Sequence, residues 1–263
     1  MRGFILKIKN YNKFKSSKKA VTFAGGLVFF FLLGLVPTLY LFSLTLSLFG
    51  KELSHLGGFF ITEKFSVIKE FVFLATENIG AGGSVIAGFI AVYSAGSLFV
   101  HLRYTGEVIY NQKSTSTILV RILSIIASIT VSLTVSFLIA VYGVLSPFFL
   151  SVLGFLGKII NFFIAMFITF IAVIIINLTA CPQKIKIKEV IKGSLFTCVF
   201  SVIFTTVFLI YLKYFSSYDK IYGKIAVIPI FFAWLFIIMR CLVSGITINA
   251  YERLTKKQIC SKI

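Results

Sequence analysis

Residues 218–250 read YDKIYGKIAVIPIFFAWLFIIMRCLVSGITINA. From Ile225 onward the stretch is long and apolar enough to cross a bilayer as a helix, since about 20 such residues span the roughly 30 Å hydrocarbon core. It follows the turn pair Tyr222-Gly223, closes on Gly245 and Asn249-Ala250, and holds one permanent charge, Arg240. The rest of the chain repeats the pattern. Of 263 residues, 59% are hydrophobic and only 13% charged, against about a quarter charged in a soluble domain. Water-soluble packing cannot hide that many apolar runs, so the fold class is all-α: a polytopic transmembrane helical bundle forming one membrane domain. A transmembrane β-barrel does not fit. Barrel strands alternate apolar and polar residues, whereas these runs are apolar on every side, and along such runs only a helix satisfies its own backbone in lipid. The first run is too long for a signal peptide and is followed by further spans.

Six spans are expected, at residues 20–49, 83–102, 122–145, 159–180, 190–212 and 225–249. They divide the chain into a basic tail (1–19), a six-span membrane domain (20–250) and a second tail (251–263). Cations set the orientation. Arg2, Lys7, Lys9, Lys13, Lys15, Lys18 and Lys19 precede span one; Arg103, Lys113 and Arg121 follow span two; Lys184, Lys186, Lys188 and Lys192 follow span four; Arg253, Lys256, Lys257 and Lys262 follow span six. The intervening connections are poorer in positive charge. Positive residues favour the cytoplasmic side, so both tails are expected inside. The net charge of +18 is explained by these flanks and by anionic headgroups. No zinc-finger spacing or arginine-aromatic ribbon accompanies it, so membrane lipids are the expected partners and nucleic acid is not. Oligomeric state is not legible.

The long connection, about residues 50–82, carries Ile61, Phe65, Ile68, Val72, Ala75 and Ile79 at spacings of four and three, with Glu63, Lys64, Lys69, Glu70 and Glu77 between them. That is an amphipathic helix on the outer face, suited to lying on the bilayer surface or capping the bundle. Pro37 removes a hydrogen bond from span one and kinks or breaks it. In span three Ser124, Ser128, Ser132 and Ser136 recur every four residues, a stripe that lets helix backbones approach or lines a hydroxyl-rich path.

Arg240 is the one ionisable residue well inside a span. It lies about ten residues, or roughly 15 Å, from Ala250. A charge there costs from about 2.5 to over 10 kcal/mol, depending on snorkelling and water, and no Asp or Glu lies in another span. It has three outlets: snorkelling to cytoplasmic headgroups, pairing with carbonyls or Glu107, or lining a wet cavity that takes an anion, since arginine grips phosphate or carboxylate bidentately. Asn161 and Asn177 are further intramembrane polar groups, candidate ligands or helix-to-helix glue. Arg103 and Glu107, four apart, suit a helical pair; Tyr104 and Tyr110 suit an interfacial belt.

Enzyme signatures are thin. His55 and His101, the two histidines, fall on opposite sides of the expected topology. No HExxH, Walker loop or GxSxG occurs, and Cys181, Cys198, Cys241 and Cys260 lack paired metal spacing. No enzyme activity, cofactor or metal is expected.

In this order, the Tyr222-Gly223 turn, the last span with Gly245, the opening helix AVTFAGGLVFFFLLGLVPTLYLF with Leu27, Phe29, Phe30 and Pro37, and the segment CPQKIKIKEVIKGSLFTCVFSVIFTTVFLIYLKYFSSYDKIYG with Pro182, Gly193, Tyr218, Tyr222 and Gly223 resemble the YihY/BrkB family of bacterial membrane proteins. The resemblance covers nearly the whole chain and implies a multi-pass protein of the inner (plasma) membrane, in a family linked to serum resistance and to lipid or envelope transport. An older ribonuclease label finds no acid or histidine pair here to activate water. Many members carry a glutamate two residues after the glycine matching Gly245; here that position is Thr247, so no role of that acid carries over. Two functions are open: a transporter or flippase of an amphipathic, anionic, lipid-like substrate, or a non-transporting scaffold assisting envelope assembly. Candidate substrate contacts are Arg240, Asn161 and Asn177; candidate structural or gating positions are Pro37, Gly223, Gly245, Ser128 and Ser132. The topology predicts that a reporter fused after Lys262 is active only in the cytoplasm; activity confined to the outside overturns it.

Overall fold

A computed structural model describes residue 14 and residues 21–33, 81–112, 117–182, 185–215 and 227–260. All the regular structure among them is helical. The helices are α1 (Val21–Leu33), α2 (Ala81–Tyr110), α3 (Thr117–Ala180), α4 (Ile187–Phe215) and α5 (Val227–Cys260). The expected amphipathic segment at 50–82, Pro37 and Gly223 fall outside the described residues, apart from the first two positions of α2.

Three helices are long and apolar enough to cross a membrane: Gly154–Ala180, Ile187–Tyr211 and Pro229–Thr255. They coincide with expected spans four, five and six. Val21–Leu33 is a shorter apolar helix within expected span one, and Ile118–Val131 is another that overlaps the start of expected span three. Expected span two lies inside α2, which runs eight residues beyond Leu102 to Tyr110, because nothing between Arg103 and Tyr110 breaks a helix. Asn111, in the left-handed region at φ 55°, ends it; asparagine tolerates that conformation better than most residues.

Spans three and four were expected as separate helices joined by a connection. Two helices are what the chain forms: within Thr117–Ala180 they meet at a kink at Gly154, whose φ of 51° and ψ of −116° are not helical, so the connection shrinks to that one residue. The stretch from 146 to 158 holds Ser146, Pro147, Ser151, Gly154 and Gly157 among apolar residues, and of these Gly154 alone leaves helical φ/ψ. An added Cβ at Gly154 meets nothing within 4 Å; backbone conformation, not space, requires glycine there.

The chain divides into two compact units. Among the described residues the first takes 21–29, 101–112 and 173–260, and the second 30–33, 81–100 and 117–172. In the second unit, α2 and α3 meet at Gly96, where a Cβ would press on Ile125. The Arg121 guanidinium lies 4.1 Å from the Tyr93 ring centroid and donates to Ser97 Oγ at 3.4 Å. Ser124 and Ser128 of the serine stripe are buried, and Ser128 donates back to the Ile125 carbonyl at 2.8 Å. The side chain of Ser132 is outside the described set.

The first unit is built on α4 and α5. In the most apolar 18-residue stretch of each span, 44% of the residues of Pro229–Thr255 are buried against 22% for Ile187–Tyr211 and 11% for Gly154–Ala180, so α5 is the most enclosed of the three. Its neighbours pair with it antiparallel: Trp234 Nε1 donates to Thr205 Oγ1 at 3.3 Å and stacks on Phe208 at 5.0 Å. At the other side α1 packs on α2: the His101 ring fills the space beside Gly26, and Phe23 meets Tyr104 edge-on. The outward faces are apolar, with Leu195, Ile203, Val207 and Phe232 exposed, as lipid contact allows. Gly154→Ala is expected to lower the melting temperature in detergent, at a cost of roughly 1–3 kcal/mol for the disfavoured backbone. Gly25→Ala, in a regular helix with open space around the new Cβ, is the neutral control. Equal melting of the two variants contradicts the assignment.

Candidate functional site

The polar chemistry of the first unit gathers where the C-terminal ends of α2, α3 and α5 meet the N-terminal end of α4. Small residues create the meeting. A Cβ on Gly193 of α4 would collide with the Gly245 carbonyl and the Asn249 side chain of α5; one on Gly245 would collide with the Thr197 hydroxyl and the Gly193 carbonyl. The two backbones therefore touch at a point only glycine permits. The space left by the missing Cβ of Gly193 is taken by Asn249, whose Oδ1 accepts from the Gly193 N–H at 2.7 Å. One turn further, Thr197 Oγ1 donates to the Gly193 carbonyl at 2.9 Å and lies 3.3 Å from the Cys241 carbonyl across the interface. From α3, Asn177 Nδ2 donates to Ser194 Oγ at 2.8 Å. Asn177, Ser194, Thr197, Ser244, Thr247 and Asn249 are all buried. Thr247, at the position where the resemblance places an acid, donates its hydroxyl to the Val243 carbonyl of its own helix at 2.7 Å.

A charged rim lies beside this neutral seam. Gly106 of α2 packs directly on the carbonyl of Ala180, the last residue of α3. Arg103 Nη2 donates to the Pro182 carbonyl at 3.1 Å, and Arg253 Nη1 to Cys181 Sγ at 3.7 Å. Both guanidiniums thus sit at the C-terminal end of α3, where cations complement the helix dipole. Arg253 also lies 3.9 Å from the Glu189 carboxylate. Lys192 pairs with Glu252 at 2.7 Å, an exposed pair of small energetic weight. Tyr110 is buried beneath the rim. Burial pushes its phenol pKa well up; the nearby Cys181 pushes the same way, Arg253 opposes, and Glu189 adds to the rise. Phe14, from the N-terminal tail, packs against Tyr251 at 5.6 Å.

The expected site residues fare differently. Gly245 and Asn177 enter the seam. Asn161 is buried but belongs to the second unit. Arg240 is exposed, on a face of α5 shared with Pro229, Phe232 and Ala233, and no ion pair reaches it among the described residues. Pairing with Glu107 is therefore not its outlet. The Arg103–Glu107 helical pair does not form either, since Arg103 turns to the Pro182 carbonyl instead. Tyr104 is exposed as a belt residue should be, but Tyr110 is buried, because α2 continues under the 181–182 turn. Sequence reading passed over Ser194, Thr197 and Asn249 as site residues. The signal was present: Gly193 and Thr197, and Cys241, Gly245 and Asn249, repeat every four residues, the small-residue spacing of close helix crossings. Cys181, Cys198 and Cys241 are buried thiols. Among the described residues no group of three or more His, Cys, Asp or Glu could hold a metal.

Spans of this length, crossing through glycines and tied by amides and hydroxyls, define an all-helical integral membrane protein. The chain belongs to the Virulence factor BrkB family, whose model matches residues 13–259. It is similar to UPF0761 membrane proteins of Coxiella burnetii, among them those of strain Dugway 5J108-111 and strain RSA 493 / Nine Mile phase I, each 29% identical over 114 residues. That match covers 43% of this chain and 41% of each relative. A UPF0761 membrane protein of Legionella pneumophila (strain Corby) is 31% identical over 91 residues, 35% of this chain and 18% of that protein. The matches thus span about two fifths of the Coxiella proteins and less of the Legionella one. No solved structure gives a significant match.

Gly193→Ala and Gly245→Ala each force a methyl group into the backbone or hydroxyl of the facing helix. Overpacking of this kind costs about 1–3 kcal/mol. Lower folded yield and melting temperature are expected for both in detergent; unchanged values for both remove the close crossing.

Proposed function

We propose that this chain is a non-enzymatic membrane protein that moves an amphipathic anion, lipid-like in character, between the leaflets of a bacterial inner membrane, with both tails cytoplasmic. The observation that carries the reading is Arg240. Near the middle of Pro229–Thr255, it faces outward on an apolar helix surface with no acid in reach among the described residues. A guanidinium in that position draws water and headgroups toward the bilayer interior by snorkelling and local thinning. Its fork is suited to a phosphate or carboxylate. A lipid phosphate pulled toward Arg240 along the face of Phe232 and Ala233 is already part of the way across. Between Pro229 and Ala250 the other polar groups of α5 are neutral, so this part of the helix offers the substrate one cation on one face. The absence of a nucleotide-binding motif in the sequence is consistent with passive or gradient-driven movement.

A second reading, a scaffold that assists envelope assembly without transport, draws on the tight Gly193–Gly245 crossing, which favours a rigid bundle. The two part in reconstituted vesicles holding a fluorescent phosphatidylglycerol, with reduction by dithionite reporting the outer leaflet. The transport reading expects leaflet exchange above protein-free vesicles, a roughly tenfold or greater drop for Arg240→Ala from the loss of one charge-assisted contact, and partial retention in Arg240→Lys. Exchange no faster than in protein-free vesicles, or equal for Arg240→Ala and the unaltered chain, overturns it.

A further inference from the structure

The seam where α3, α4 and α5 meet contains two amide atoms that the protein does not satisfy. Asn177 and Asn249 are each 1% exposed. Asn177 Nδ2 reaches Ser194 and Asn249 Oδ1 takes the Gly193 N–H, yet among the described residues neither Asn177 Oδ1 nor Asn249 Nδ2 has a partner. Exchanging the amide atoms does not cure this. Turning Asn249 over would set an N–H against the Gly193 N–H. Turning Asn177 over lets Ser194 donate to it but leaves two amide hydrogens unpaired in place of one oxygen. Buried polar groups in proteins are almost always hydrogen-bonded, and within a bilayer there is no bulk solvent to supply the missing bond.

The two vacant positions differ in kind: one accepts, the other donates. A cation would suit the Asn177 oxygen but be repelled by the Asn249 amide hydrogens, and an anion would suffer the reverse. Neither amide lies beside a carboxylate named in any contact of the seam. A neutral hydroxyl both gives a hydrogen and offers a lone pair, and water is the smallest species that does so. The two asparagines bond to adjacent residues of α4, Asn177 to Ser194 from the side of α3 and Asn249 to Gly193 from the side of α5. By helix rise, Asn177 lies about 5 Å from the end of α3, Ser194 about 10 Å from the start of α4 and Asn249 about 9 Å from the end of Pro229–Thr255. Both asparagines are thus below the charged rim, within the membrane-spanning part of the helices.

We propose that resident water occupies this crossing, bonded to Asn177 Oδ1 and Asn249 Nδ2. The site binds a neutral donor-acceptor and places hydration inside the α3–α4–α5 junction. It does not depend on Arg240 or on transport, because Arg240 lies on the exposed face of α5, Asn249 on its buried face and Asn177 on α3.

The test uses the unaltered full chain in lipid bilayers. With asparagine labelled in nitrogen-15 and signals assigned through backbone correlations, water-edited solid-state NMR reports magnetisation transferred from water to each side-chain amide. The Asn249 Nδ2 signal is expected to build up within about threefold of the exposed Asn111 reference, as a bound water of full occupancy provides. A buildup at the noise level overturns the proposal. A density map of the same chain fine enough to show ordered water should carry a peak within hydrogen-bonding distance of Asn177 Oδ1 and of Asn249 Nδ2. An empty junction, or a peak ringed by oxygens alone at metal-ligand distances, overturns it equally. Loss of leaflet exchange in Arg240→Ala leaves these readouts unchanged, so this proposal and the transport reading fail separately.

Discussion

Lipid tails are as apolar as leucine, so a membrane helix gains little by exchanging lipid contact for another apolar helix. What holds two such helices in one register must be closeness and polarity. In this protein the requirement is met at Gly193 and Gly245, where the absence of two side chains brings backbone against backbone. From that point the rest of the α4–α5 pairing is set: Glu189 and Lys192 toward Arg253 and Glu252, Thr197 toward Cys241, Thr205 toward Trp234. Numbers rise along one helix as they fall along the other. A shift of one residue would separate Asn249 from the Gly193 N–H and place side chains where only hydrogen atoms fit.

The membrane class and the helical fold were legible because they rest on bulk properties: the length of apolar runs and the scarcity of charge. The crossing was only half legible. Gly193 and Gly245 were visible through their resemblance to a family pattern, but a glycine alone does not name the residue it faces. Asn249 was read as the end of a span, although its spacing from Gly245 puts it on the same helix face. Gly154 was hidden for a different reason. Ser146, Pro147, Ser151, Gly154 and Gly157 all offered a break between spans three and four, and nothing in the local sequence singled out Gly154 as the one that makes it. The Arg103–Glu107 pair failed because spacing within a helix cannot reveal a stronger claim from outside it, in this case the carbonyl of Pro182.

The first unit separates its polar groups by charge. Neutral amides and hydroxyls are buried where helices cross; guanidiniums and carboxylates collect at the rim; Arg240 stands apart on an apolar face. Each placement follows from desolvation. A neutral group can be buried at the cost of one or two hydrogen bonds, which a neighbour or a water restores. A full charge keeps its solvation only at an edge, or at a surface that lipid headgroups and water can reach. The same rule explains why Thr247 is tolerated deep in the seam: its hydroxyl bonds to its own helix and asks nothing of its surroundings.

The continuity of α5 has a mechanical consequence. At 34 residues the helix is about 51 Å long, well beyond the roughly 30 Å of hydrocarbon. Gly245 lies within about two residues of its midpoint, where any tilt of α5 against α4 would have its fulcrum. About 15 residues lie beyond it to Cys260, a lever arm of about 22 Å, so a tilt of about 10° about the crossing carries the far end through about 4 Å. The contacts of Glu252 and Arg253 with α4 lie on that arm and brace it. The protruding end of α5 therefore reports, in amplified form, small rotations at a contact buried within the bundle.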